Sequence, residues 1–124
     1  MSAFLAVFLG GGLGSLLRYG LSLLVVNKFS QTLPLATLLA NVFACMLMAL
    51  GFTIWNEALV KITWLKPFLL IGLCGGLSTF STFSYENWAL LKAGNYGWLV
   101  ANIIISIVLC LLVFWFFMQK EFAE

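Results

Sequence analysis

The chain has 124 residues, 64% hydrophobic and 8% charged, with a formal net charge of +2 and no histidine. Soluble domains carry about 25% charged residues, so this composition is that of an integral membrane protein, read as one transmembrane domain. The small net charge argues against nucleic acid as a partner, and the lack of imidazole removes histidine proton relays, haem ligation and histidine metal sites, so no enzymatic activity is expected.

The first predicted span covers about residues 3–26, longer than the roughly 20 residues a bilayer requires. It has no basic leader, and its apolar run outlasts a signal-peptide core, so it is read as a retained helix. The run Gly10-Gly11-Gly12-Leu13-Gly14-Ser15 leaves a face without side chains, suited more to close helix packing than to an ion role. Arg18 is costly inside an apolar span, by about 3 kcal/mol or more at the centre. Either snorkelling to the headgroups or an anion-attracting vestibule accounts for it.

A polar connector, Asn27 to Pro34, leads to the second span at about residues 35–55. Its one strongly polar interior residue is Asn41, which fits an interhelical hydrogen bond or an amide donor to a passing anion. The next connector, Asn56 to Lys66, is amphipathic and suits the membrane interface. Pro67 then opens the third span, about residues 67–91.

That span carries the most unusual stretch, Gly72-Leu-Cys-Gly-Gly-Leu-Ser-Thr-Phe-Ser-Thr-Phe-Ser-Tyr-Glu86. Glycine costs a helix roughly 1 kcal/mol relative to alanine, and Ser and Thr compete for backbone hydrogen bonds. The helix is therefore expected to break near its middle, at about Gly75 and Gly76. Freed backbone at membrane depth is tolerated only where protein, water or an ion satisfies it, so the break is read as lining an ion site.

Lys92-Ala93-Gly94-Asn95 forms the last turn, and the fourth span runs over about residues 96–118. Asn102, Ser106 and Cys110 recur at i, i+4 and i+8 on it, hence on one face. Together with Asn41, Ser78, Thr79, Ser81, Thr82 and Ser84 they form a set of neutral hydrogen-bonding groups suited to a small ion. Phe80 and Phe83 share a face if helix resumes after the break; they fit plain packing, or ring edges turned toward an anion. Glu86 fits an interfacial position or a pore mouth. Cys45, Cys74 and Cys110 are read as small buried hydrophobes.

Trp55, Trp64, Trp88, Trp98 and Trp115 fall near the proposed span ends, at headgroup level. Orientation is undetermined: Lys28 and Lys92, with Arg18 nearby, face Lys61, Lys66 and Lys120 across the bilayer. A chain without a positive-inside bias can insert both ways, and the two forms can meet as an antiparallel dimer.

The residues Gly72 to Ser84 resemble the third-helix signature of the Fluc (CrcB) fluoride channels of microbial membranes. Gly11-Gly12-Leu13-Gly14-Ser15-Leu16-Leu17-Arg18 is similar to that family's first-helix motif, and Thr37-Leu38-Leu39-Ala40-Asn41 to its second. The resemblance implies a dual-topology antiparallel homodimer of four-helix subunits in a bacterial inner membrane, exporting fluoride passively along two pathways. It also implies a central structural sodium ion held by the backbone carbonyls of Gly75 and Ser78 from both subunits. Phe80, Phe83, Asn41 and Ser106 would be pore residues, with Ser81, Thr82 and Asn102 along the path. Arg18 would stand at a vestibule, and Glu86 near a pore end. Ala36, Ala44, Asn102 and Cys110 depart from the family pattern, which thins the fourth-helix track. The alternatives are a proton-coupled small multidrug transporter, whose first-helix carboxylate is missing here, and a non-transporting membrane assembly subunit.

Overall fold

The computed structural model describes residues 1–29 and 34–122, so Ser30 to Leu33 of the first connector lie outside the described residues. Among the described residues four helical stretches are long and apolar enough to cross a membrane: Ala3–Lys28, Leu35–Thr53, Pro67–Lys92 and Tyr96–Phe117. The first is α1 (Ala3–Lys28), begun by Ser2, whose hydroxyl accepts the Leu5 N–H at 3.2 Å. The second is α2 (Leu35–Thr53), followed by the short α3 (Asn56–Lys61) with Leu59 as its buried anchor.

The third span is composite. It opens as a π-helical segment, Pro67–Cys74, passes into α4 (Gly75–Leu77), leaves helical geometry at Ser78, and resumes as α5 (Ser81–Lys92). The interruption thus falls at residues 78–80, a few residues beyond the expected Gly75 and Gly76. Both glycines remain helical, and Gly76 lies so close to α1 that a Cβ on it would collide with the backbone of Gly11. Ser78 turns extended, with φ −77° and ψ 155°. A tight turn follows α5, with Gly94 at φ +73° and the Asn95 N–H donating to the Leu90 carbonyl at 2.9 Å. The chain continues through α6 (Tyr96–Phe117) into α7 (Gln119–Phe122).

Helix α1 packs along the first half of the third span through backbone. A Cβ on Gly10 would strike the Phe68 carbonyl oxygen and the Leu73 nitrogen, and one on Gly14 would strike the Leu73 carbonyl oxygen and the Leu77 nitrogen. Gly12, on the other side of α1, has nothing within 4 Å of such an atom. The glycine run therefore serves close packing, as small residues do between helices in lipid. Ala40, Ala44 and Leu77 form one buried cluster, and Leu59, Leu69 and Leu70 another. Ala44 thus contributes to packing between α2 and the third span.

Helix α6 is turned inside out relative to a helix of a soluble protein. Its buried residues are Asn102 and Ser106, while Ile104, Ile107, Val108 and Leu111 face outward. In hydrocarbon that polarity is favourable, because polar groups need partners and apolar ones do not.

Candidate ion site at the broken helix

A break inside a membrane leaves backbone groups that must find partners. The Ser78 N–H and Ser78 hydroxyl both donate to the Cys74 carbonyl, each at 2.9 Å. The Thr79 N–H donates to Asn41 Oδ1 at 2.7 Å, and Asn41 Nδ2 donates back to the Thr79 carbonyl at 3.3 Å. The Thr82 N–H donates to Thr79 Oγ1 at 3.2 Å, which caps the start of α5. Arg18 lies one turn beyond Gly14 on the packed face of α1, and its Nε donates to the Gly76 carbonyl at 3.1 Å. A cation at the C-terminal end of a helix also complements the helix dipole.

These substitutions leave a specific residue of unpaired carbonyls. In a continuous helix the Thr79 N–H would go to Gly75 and the Thr82 N–H to Ser78. Asn41 and the Thr79 hydroxyl take those two donors instead. By the same count the carbonyls of Gly75, Gly76, Leu77, Ser78 and Thr79 all lose their helical donors; Arg18 and Asn41 replace those of Gly76 and Thr79, and those of Gly75, Leu77 and Ser78 are left without one. Gly75 is exposed, with open space where a Cβ would stand.

Two hollows flank the break. On the side of α2 and α6 an open groove of about 330 Å³ is lined by Asn41, Cys45, Ser78, Thr79, Phe80, Phe83, Ser106, Ile107 and Cys110. No charged residue lines it. The Phe80 and Phe83 ring centroids are 6.1 Å apart with planes inclined at 40°, and Phe80 is 80% exposed. On the side of α1 a hollow of about 230 Å³ is lined by Ser15, Arg18, Tyr19, Ser22, Thr37, Thr79 and Thr82. Thr79 borders both.

The structure thus brings Asn41, Phe80, Phe83 and Ser106 to one groove and Arg18 and Thr82 to the other hollow. Ser81 lines neither; its Oγ lies 3.4 Å from Thr79 Oγ1. Glu86 also stands outside both, accepting the Thr37 hydroxyl at Oε1, 2.6 Å away, while its Oε2 is buried without a hydrogen-bond partner. Asn102 does not reach the groove. It is largely buried one turn before Ser106, where it borders a separate hollow of about 90 Å³ with Leu38 and Trp98 and its Nδ2 donates to Asn87 Oδ1 at 2.9 Å. Cys110, on the same helical face, does line the groove.

Sequence reasoning missed Asn87 and the pairing of Thr37 with Glu86. A signal for Asn87 existed: an amide within an apolar stretch, one helical turn beyond Phe83. For Thr37 there was none, since its partner lies on another span. Among the described residues no three His, Cys, Asp or Glu side chains converge to hold a metal ion. The oxygen donors on offer are the backbone carbonyls, which suit a hard cation.

Four membrane-length helices, one of them broken and bracketed by polar side chains beside an uncharged groove, define a polytopic membrane protein built around a permeation-type site. The chain belongs to the CrcB-like family, described as "CrcB-like protein, Camphor Resistance (CrcB)", whose model matches residues 5–118. It is 40% identical over 119 residues to a fluoride-specific ion channel FluC of Escherichia fergusonii, with 91% of each chain covered. Proteins of the same name from Salmonella arizonae and Salmonella newport are each 39% identical over 117 residues, again with 91% of both chains covered.

Proposed function

We propose that this protein is a fluoride-selective channel that lets a bacterial cell shed fluoride passively across its inner membrane. The observation that carries the reading is the groove in which Asn41, Ser106 and the rings of Phe80 and Phe83 meet with no charged side chain in the lining, in a chain so similar to proteins named as fluoride channels. Fluoride is small and strongly hydrated, so it enters only where donors replace its water. Neutral donors do this without trapping the ion. The positive edges of the two phenylalanines add a weak attraction that a cation would not feel. Net flux follows the membrane potential, at about 2.3 kcal/mol per charge per 100 mV.

The working form in this reading is an antiparallel homodimer with two pathways. Its support is the balance of Lys28 and Lys92 against Lys61, Lys66 and Lys120, and a groove that a single subunit leaves open. A structural sodium ion between the subunits would be held by the Gly75 and Ser78 carbonyls, which lack their helical donors. It would supply a fixed positive charge at the dimer centre and tie the two broken helices together.

The test is fluoride efflux from proteoliposomes, with valinomycin and a potassium gradient setting the voltage and chloride as the comparison ion. Rapid fluoride release without chloride release is the expected result. Folded, dimeric protein that releases neither ion would overturn the proposal.

A further inference from the structure

Three polar side chains form a relay behind the groove. Asn87, Asn102 and Ser106 are 9%, 8% and 6% exposed. Ser106 Oγ lies 3.4 Å from Asn102 Oδ1, Asn102 Nδ2 lies 2.9 Å from Asn87 Oδ1, and Asn87 Nδ2 lies 3.0 Å from the Phe83 carbonyl oxygen. The last member fixes the direction of all the others. A backbone carbonyl can only accept, so Asn87 must turn its NH₂ toward Phe83 and its oxygen toward Asn102. Asn102 must then donate to Asn87, which leaves its own oxygen facing Ser106. Ser106 is left as the donor, with its proton drawn away from the groove.

We propose that Asn102 and Asn87 are positioning residues that act through Ser106, holding its hydroxyl proton back from the fluoride path and so weakening ion binding there. The inference rests on the fluoride-channel reading above. An anion reaching Ser106 meets oxygen lone pairs until the O–H rotates toward it. At 3.4 Å the bond to Asn102 is near the limit of a hydrogen bond, so rotation is easy but opposed. The opposition keeps the site shallow, and a conducting site must release its ion as readily as it takes it up. Asn102 thus contributes without touching the ion, while Asn87 sets which end of the Asn102 amide faces Ser106.

The test is current against fluoride concentration in planar bilayers for wild type, N102L and the double variant N87L/N102L, each alone and combined with S106A. The double variant guards against misfolding, since replacing both partners of a buried hydrogen bond by apolar groups is close to neutral. Dimer integrity is checked by gel filtration. Freeing the Ser106 hydroxyl is expected to lower the half-saturating fluoride concentration about two- to fivefold, the range that one weak hydrogen bond supports. In the S106A background the same substitutions should leave it unmoved. A shift that persists without Ser106 would assign the two amides a merely structural role and overturn the inference, as would an unchanged half-saturation in N87L/N102L. Wild-type protein without fluoride current would overturn the channel reading itself, and the inference with it.

Discussion

Asn41 is the side chain on which the break depends most directly, and replacing it by leucine separates two roles that an amide in a channel can have. The substitution preserves volume closely and removes both bonds to Thr79, the 2.7 Å bond from the N–H and the 3.3 Å bond to the carbonyl. A buried N–H left without a partner costs about 1–3 kcal/mol. The carbonyl adds less, because its bond is long and an under-satisfied C=O is better tolerated. The sum is about 2–4 kcal/mol against the wild-type fold. A rebound is possible in one direction only: the Thr79 N–H can return to the Gly75 carbonyl, which mends the helix and takes away one of the oxygens assigned to sodium. N41L should therefore lower the midpoint of denaturant unfolding, followed by tryptophan fluorescence in micelles, and lower fluoride efflux at the same time. An unchanged midpoint with lost efflux would refute this reasoning and make Asn41 a donor to the ion alone.

Gly14→Ala should destabilise by about 1–3 kcal/mol or more, through overpacking against the backbone at Leu73 and Leu77, while Gly12→Ala, facing open space, should stabilise by up to about 1 kcal/mol and raise the thermal midpoint. Thr37→Val strips Glu86 of its 2.6 Å donor and should cost about 1–3 kcal/mol by the same unfolding assay, whereas Glu86→Gln keeps the acceptor for Thr37 and should cost less than half as much. Phe80→Leu or Phe83→Leu keeps apolar volume and loses the ring edge, so fluoride efflux should fall at least tenfold with the dimer intact; wild-type rates would make the rings plain packing groups. If the proposed sodium ion ties the subunits together, replacing sodium by a bulky organic cation throughout purification should weaken dimerisation, read as a loss of dimer mass in detergent.

The four spans were legible because lipid imposes a simple pattern, long apolar stretches closed by Trp, Lys and turn residues, and the helices of the structure begin and end close to those marks. The break in the third span was legible in kind but not in place. Composition pointed to Gly75 and Gly76, the poorest helix formers, yet both stay helical, with Gly76 packed against the backbone of Gly11, and it is Thr79, bonded to Asn41, that leaves the ladder. Tertiary contacts that sequence does not reveal moved the interruption. The same limit explains Asn102, whose helical spacing set it on a face with Ser106 and Cys110 but whose partner, Asn87, lies on the neighbouring span. The period of a helix gives direction around its axis, not what stands opposite.

Stripping fluoride of water requires donors that are free to turn, and most donors near the break are already engaged. The hydroxyls of Ser78, Thr37 and Ser106 donate to Cys74, Glu86 and Asn102, and the Arg18 Nε donates to Gly76. What remains on the groove side is the second N–H of the Asn41 amide, one proton between Thr79 and Ser81, and the edges of two phenylalanines, while on the α1 side the Thr82 hydroxyl and the Nη N–H groups of Arg18 remain. On the groove side that set is small and neutral. Phe80 is its most exposed member at 80%, so one subunit alone presents this ring outward, with no wall across from it. An ion passing there would be left half in lipid, which no neutral donor set can offset. In the proposed antiparallel homodimer the second copy would supply that wall, and on that reading an isolated subunit would not conduct.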